Sequence, residues 1–308
     1  MTIQKILITG SSGTVGTRLC EKLLDAEYDV IGIDSRPNKW NPDLNKNTIL
    51  VDLRNKEEIF EKIPEDIDLI IHLGANARVY NLVVEPNLAR DNFETIFNIL
   101  EFAREKKIPK FMFASSREVY GNSEELVHPE SHISVENCES PYTASKISGE
   151  AMVHAYRRCY NIDSIIFRFS NVYGMYDDSD RVIPLFIRLC KEGKDLSIYG
   201  EDKLLDFTYI DDAVDGVKLC IENFEFCKND VYNLAYGDGT TILDTAKIIK
   251  KYLNSNSKIN LLKNRPGEVV KCITDISKAK NKLGYMPKTT IDEGIQKTID
   301  WYSNNYDF

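Results

Sequence analysis

The sequence predicts an α/β fold, a doubly wound parallel sheet accompanied by a smaller α+β lobe. Three observations carry that expectation. Short apolar, β-branched runs alternate with longer amphipathic segments through the first half of the 308-residue chain. The runs are continuously apolar, as strands covered on both faces are. A glycine-rich turn follows the first run directly, where a strand would hand over to a helix.

In chain order the runs are Lys5 to Gly10, Tyr28 to Asp34, Asn47 to Asp52, Asp68 to Gly74 and Lys110 to Ser116. Helical stretches such as Val15 to Leu24 and Asn92 to Lys107 separate them, and strand–helix alternation implies parallel pairing. A further helix opens at Ser140-Pro141, because serine is a good N-cap and proline is tolerated at the first helical position. The run Asp163 to Ser170 follows. Beyond about residue 170 the pattern loosens into short strands, Gly/Pro turns and helices such as Ile242 to Leu253 and Ile291 to Tyr302. The expected division is residues 1–170 for the sheet domain and 171–308 mainly for the smaller lobe, with an interleaved boundary.

Composition bounds the function. Hydrophobic content of 43% and charged content of 28% are those of a globular protein. A net charge of -9 argues against nucleic acid and anionic membranes as partners, since both need a basic face. Cys20, Cys138, Cys159, Cys190, Cys220, Cys227 and Cys272 are odd in number, scattered and without a C-x-x-C. No disulfide framework or zinc site is expected, and a reducing cytoplasm fits. His72, His128, His132 and His154 show no metal spacing, so no metal is expected, and His72 reads as structural. No signal peptide is recognisable, and no apolar run reaches the ~18 residues of a membrane span.

The segment Thr9 to Gly16 reads G-x-x-G-x-x-G. Gly10 permits the tight turn, Gly13 lets the backbone approach a pyrophosphate, and Gly16 lets the helix pack close; the helix N-terminus favours phosphate charge. The second run ends in Asp34, eighteen residues after Gly16, where a carboxylate can bind a ribose 2′-hydroxyl and repel a 2′-phosphate. This Rossmann-type pattern selects NAD over NADP, with Arg36 nearby as a countercurrent. Asp52 and Leu53 could meet the adenine; a loop-capping aspartate fits the same spacing.

Tyr142 and Lys146 stand at i and i+4 on the helix opened by Pro141, on one face. A neighbouring ammonium is expected to lower the tyrosine pKa from ~10, making it a base for an alcohol proton. Ala114-Ser115-Ser116 end the fifth run, and strand C-termini are where open α/β sheets bind ligands. A serine there can bond the same oxygen. Tyr120 and Tyr173 read as loop packing; Glu101, Arg104 and Lys106-Lys107 read as a solvated helix face.

Together these residues resemble the extended short-chain dehydrogenase/reductases of the nucleotide-sugar epimerase and dehydratase group, UDP-glucose 4-epimerases included. The matching pieces are TGSSGTVG, Asp52-Leu53, HLGA (His72 to Ala75), SSREVYG (Ser115 to Gly121), SPYTASK (Ser140 to Lys146), RFSNVYG (Arg168 to Gly174), FTYIDDAV (Phe207 to Val214) and RPGE (Arg265 to Glu268). The resemblance spans essentially the whole chain. It implies Ser116, Tyr142 and Lys146 as the catalytic trio, with Lys146 also holding the nicotinamide ribose. It extends the cofactor set to Thr14, Val15, Leu73, Ala75 and Phe169, with Asn92 as a buttress. It implies Ser116, Asn171, Val182 and Tyr199 on the substrate and Arg265 on its pyrophosphate. The helices Asn92 to Lys107 and Tyr142 to Tyr160 resemble the family's dimer-forming pair, so a homodimer is implied.

Two departures stand out. Where the family has R-D-[FY], on the substrate phosphate, this chain has Leu205-Asp206-Phe207, with Lys203 as a substitute cation. Where dehydratases carry an Asp-Glu pair, it has Arg117-Glu118. Glu118 is either a base or a structural carboxylate paired with Arg117. The leading expectation is a nucleotide-sugar 4-epimerase. A 4-dehydrogenase, 4,6-dehydratase or decarboxylase would share the oxidation at C4, and a non-catalytic NAD-binding scaffold is the reading from another class. UDP is the default nucleotide; GDP, dTDP and CDP stay open.

Overall fold

The computed structural model describes residues 3–305. Its centre is a seven-stranded sheet in the order Asp230–Leu234, Asp163–Phe169, Lys110–Ser116, Leu69–His72, Lys5–Thr9, Asp29–Asp34, Thr48–Leu50. Every neighbouring pair is parallel. The odd-even alternation of the strands feeds two cores. Ile6 and Ile8 face the helices Thr14–Asp25 and Ile210–Glu222, packing on Leu19, Leu23, Val214 and Val217. Leu7 and Ile70 face the helices Asn87–Glu105 and Pro141–Tyr160, packing with Ile96, Ile99 and Val153. Burying both faces is what makes the runs continuously apolar.

From Lys5–Thr9 the chain first fills the sheet on one side, through Thr48–Leu50, and then crosses to Leu69–His72 on the other. This reversal opens a crevice at the strand C-termini. Register keeps those ends level: Thr9 pairs with His72 and Ser116 with Phe169.

A second layer is built from Val127–His128, Leu204–Tyr209, Gly239–Thr241 and Lys271–Thr274, with Asn171–Tyr173 beside Leu204–Tyr209. Leu196–Tyr199 pairs with Ile259–Leu262. Its own core gathers Phe186, Ile187, Ile249, Ile295 and Tyr302. Chain from each side of residue 170 enters the other layer: Asp230–Leu234 is an edge of the large sheet, and Val127–His128 joins the small one.

Two element bounds differ from expectation. The helix expected from Asn92 begins at Asn87; its first turn mixes exposed Asn87 and Arg90 with half-buried Leu88 and Ala89 and gives no clear apolar stripe. The strand expected over 47–52 is Thr48–Leu50, because the Asp52 carbonyl already accepts from Asn55 N in a turn. Among the described residues no helix is long and apolar enough to cross a membrane. None of their His, Cys, Asp and Glu form a group that could hold a metal.

Candidate active site

The glycine turn forms the first wall. Gly10 adopts φ 71°, its N–H donating to the Ile33 carbonyl at 2.8 Å. A Cβ on Gly16 would collide with the Gly10 carbonyl, so this helix packs as only glycine allows. Gly13 is the N-cap, with no side-chain hydrogen bond. A Cβ there would meet only Gly10 O, at 3.3 Å. An uncapped helix N-terminus behind a bare backbone is a cradle that fits a dinucleotide pyrophosphate. Thr14 donates its hydroxyl to the Tyr176 carbonyl at 2.8 Å, tying this helix to the small lobe.

Asp34 lies at the end of its strand, accepting from Ser12 N at 3.0 Å and Arg36 N at 3.2 Å. Burial pushes its carboxyl above the ordinary value, against those backbone donors. Asp52 caps its turn through Arg54 N at 3.0 Å and pairs with the Arg54 guanidinium at 2.7 Å. The capping alternative therefore describes its contacts here. Leu53 is buried in the core. Asn92 accepts from Asn76 N at 2.6 Å and donates to the Asn76 carbonyl at 3.0 Å and to Ser145 Oγ at 3.1 Å. It thus locks the loop after Leu69–His72 to the helix Pro141–Tyr160, one layer behind the cavity.

Ser140 caps that helix by accepting from Thr143 N at 3.1 Å. A Cβ on Gly149 would lie 2.6 Å from the Phe113 ring, so the helix lies tight on Lys110–Ser116. This brings Tyr142 over the strand end, hydrogen-bonded to Ser116. Ser116 Oγ also accepts from Glu118 N at 3.2 Å. Lys146 donates to the Ala114 carbonyl at 2.8 Å. Its ammonium lies 5.0 Å from the Phe113 ring centre and 5.8 Å from that of Tyr142.

The electrostatics correct one expectation. Tyr142 is not lowered; burial pushes its hydroxyl up to about 12, outweighing the Ser116 hydrogen bond and the Arg181 and Arg117 charges. Lys146 shifts instead, down to about 8, because burial disfavours its charge more than Glu150 supports it. His72, stacked on Phe113 with Nδ1 2.8 Å from Thr9 Oγ1, is held neutral by burial at about 3.

A cavity of about 530 Å³ opens beside these groups. Of the residues expected in the site, Val15, Leu73, Ala75, Ser116, Glu118, Tyr142, Lys146, Phe169, Asn171, Val182, Tyr199, Lys203 and Arg265 line it. Gly10, Gly13, Thr14, Gly16, Asp34, Asp52, Leu53 and Asn92 do not. Arg265 stacks on Tyr199 at 3.7 Å and on Tyr80 at 4.8 Å from the ring centres. Lys203 pairs with Glu268 at 2.5 Å. Arg117 pairs with Glu118 at 2.7 Å and donates to Asn171 Oδ1 at 3.3 Å. The Asp206 carboxylate faces away from ligand chemistry, accepting from Tyr236 N, Gly237 N and Thr274 Oγ1 at 3.1, 3.0 and 2.7 Å.

Sequence reasoning missed Tyr80 and Arg181, both on the cavity; neither stands in a motif it used. It also missed the buried support of Glu150, which accepts from Ser115 Oγ at 2.5 Å and from Arg168 at 2.7 and 2.9 Å. Glu101 is not simply solvated: it accepts from Tyr156 at 2.7 Å and from Arg104 at 2.8 Å.

The model of the NAD dependent epimerase/dehydratase family matches residues 6–235. A putative UDP-glucose 4-epimerase of Methanocaldococcus jannaschii is 34% identical over 97% of this chain and 99% of its own. A dTDP-glucose 4,6-dehydratase of Salmonella typhimurium is 29% identical over 98% of this chain and 93% of its own. The crystal structure of a mutant UDP-glucuronic acid 4-epimerase from Bacillus cereus, in complex with UDP-4-deoxy-4-fluoro-glucuronic acid and NAD, is 30% identical. It gives a TM-score of 0.89 over 98% of this chain and all of that one.

Proposed function

The chain belongs to the NAD-dependent epimerase/dehydratase family, and from that premise we propose that it is a nucleotide-sugar 4-epimerase, with a UDP-sugar as substrate. The observation that carries the reading is the convergence of Ser116, Tyr142 and Lys146 with Asn171, Tyr199 and Arg265 on one cavity, from separate segments spread between residues 116 and 265.

The residues fit the cofactor. Gly10, Gly13 and Gly16 with Thr14 and Val15 would hold its pyrophosphate, Asp34 its adenosine ribose, and Lys146 its nicotinamide ribose, with Leu73, Ala75 and Phe169 against its apolar parts. Bound NAD supplies the redox chemistry at the sugar C4. Tyr142, whose hydroxyl burial keeps protonated, would act as the phenolate that nearby positive charge favours; in that form it would take the proton of the C4 hydroxyl and return it when the hydroxyl is remade. Ser116 bonds the same oxygen, and its acceptance from Glu118 N leaves its own proton to give. Asn171, Val182 and Tyr199 line the sugar and base, and Arg265, splinted between Tyr80 and Tyr199, meets the pyrophosphate. Residues 1–170 carry the cofactor half and 171–308 mainly the substrate half.

A second reading, 4,6-dehydration, draws on Glu118, a carboxylate raised by burial beside the cavity. Its ion pair with Arg117 opposes it, because a paired carboxylate is a weak base and a guanidinium is no proton donor. Phe93 and Phe97, exposed on Asn87–Glu105, support a homodimer through that helix, and seven free cysteines support a reducing cytoplasm. The function is tested by incubating the enzyme with NAD and a panel of nucleotide-sugars. Unchanged mass with inverted C4 stereochemistry is expected; a loss of 18 means dehydration, and a loss of 2 means net oxidation.

A further inference from the structure

Tyr142 and Lys146 stand four residues apart on the helix Pro141–Tyr160, and the next residue in that series is Glu150. All three are buried and follow one face of the helix. Each is bonded to a different residue of the strand end. Tyr142 meets Ser116, Lys146 donates to the Ala114 carbonyl at 2.8 Å, and Glu150 accepts from Ser115 Oγ at 2.5 Å. Three successive turns of helix are thus tied to three consecutive residues of Lys110–Ser116. Glu150 is itself anchored. Arg168 donates to both of its oxygens, at 2.9 and 2.7 Å, from the neighbouring strand, where it stands opposite Ser115. Glu150 and Arg168 are 4% and 2% exposed.

The three ties are not equivalent. Tyr142 and Lys146 line the cavity and have ligands to serve, whereas Glu150 does not line it. The close packing of this helix on Phe113 holds the two elements together, but apolar contact is non-directional and does not fix their register. A hydrogen bond does, because it weakens steeply off its axis. Stability alone does not account for the ion pair, since desolvation of two buried charges offsets their attraction. We propose that Glu150 is a positioning residue: held by Arg168 and bonded to Ser115, it fixes the register of the helix against the strand end, so that Tyr142 and Ser116 meet one substrate oxygen. The proposal rests on the reading that these two hydroxyls act on the C4 hydroxyl of a nucleotide-sugar. A misplacement of about 1 Å at a reacting centre costs up to ~10²-fold in rate. A group that only binds, such as Arg265, has no such dependence on that register.

The test replaces the whole pair, in Glu150→Met with Arg168→Met, and separately removes one hydroxyl, in Ser115→Ala. Exchanging both buried charges for apolar side chains leaves neither unpaired, so the double variant should fold. Each protein is loaded with NAD and mixed with UDP-glucose. The readouts are kcat, the single-turnover rate of nicotinamide reduction, and the Kd of NAD and of UDP by calorimetry. Both rates should fall by ~10²-fold in the double variant and by about tenfold in Ser115→Ala. Each Kd should stay within about threefold of wild type, because the loss is confined to the transition state. Wild-type rates in either folded variant, or Kd values that weaken in step with the rates, overturn the proposal and leave the pair merely structural. If the double variant does not fold, Ser115→Ala decides alone. Turnover by wild type that the variants match sinks this proposal only. A wild type that leaves UDP-glucose unconverted sinks the UDP-glucose epimerase reading and this proposal with it.

Discussion

The ammonium of Lys146 lies 5.8 Å from the centre of the Tyr142 ring while donating to the Ala114 carbonyl at 2.8 Å. The strand end therefore clamps the lysine beside the tyrosine ring, and the hydrogen bond to Ser116 holds the tyrosine hydroxyl. Removing only that hydroxyl, in Tyr142→Phe, should lower kcat by ~10²–10⁴-fold or more. It should leave the fold intact, because one hydrogen bond to Ser116 contributes about 1 kcal/mol. Steady-state rates and a melting curve check this; a near-normal rate takes the tyrosine out of the mechanism.

Lys146 also makes stability depend on pH. Burial lowers its pKa from 10.5 to about 8, so between these values the folded protein binds fewer protons than the unfolded chain. Stability from this group must rise with pH across that window, its cost being fully present below about 8. Relative to Lys146→Met, which cannot titrate, wild type should gain stability between pH 7 and pH 9.5. Urea unfolding of both proteins at the two pH values measures the difference. A difference that stays flat contradicts the burial argument.

Asp34 accepts two backbone N–H groups and has carboxylate capacity left for a ribose hydroxyl. NAD should bind at least ~10²-fold more tightly than NADP, because a 2′-phosphate would face that carboxylate. In Asp34→Ala the gap should close to within about tenfold. Fluorescence titration of both cofactors decides it, and equal affinities in the wild type would remove Asp34 from the cofactor site.

Asp206 makes a structural prediction. Its carboxylate ties the strand Leu204–Tyr209 to the loop at Tyr236-Gly237 and to the end of Lys271–Thr274 by accepting from Tyr236 N, Gly237 N and Thr274 Oγ1, and it is fully buried. Asp206→Ala leaves Gly237 N and Thr274 Oγ1 without this acceptor, while Tyr236 N keeps Thr208 Oγ1 at 3.0 Å, and should cost about 2–4 kcal/mol by denaturant unfolding. A loss below about 0.5 kcal/mol would show the network to be incidental.

The parts of the fold and site that could be read from the sequence are those set by local pattern. Apolar runs gave the buried strands Lys5–Thr9 and Lys110–Ser116, and Gly10, Gly13 and Gly16 marked the turn between strand and helix. The i, i+4 spacing put Tyr142 and Lys146 on one face, as they are. What depends on long-range packing was not legible. The direction of the Tyr142 shift is set by burial beneath the small lobe, which no spacing reveals. The place of Asp230–Leu234 at the sheet edge follows from pairing with Asp163–Phe169, 60 or more residues earlier. Tyr80 and Arg265, far apart in the chain, meet on the cavity at 4.8 Å, which no local pattern reveals. The Arg117–Glu118 pair was visible as two adjacent charges, but its burial and its 2.7 Å ion pair needed coordinates.

On the proposed 4-epimerase reading, the reaction begins and ends at C4, with no proton drawn from C5. It is tested most directly by running the enzyme with NAD and its nucleotide-sugar in deuterated water and recording the NMR spectrum of the product. The expected product is a C4 epimer of unchanged mass with no deuterium at C5, in wild type and in a modestly slowed Glu118→Gln. Deuterium at C5 that disappears in Glu118→Gln, or a product lighter by one water, would contradict it and make Glu118 the base of a dehydratase.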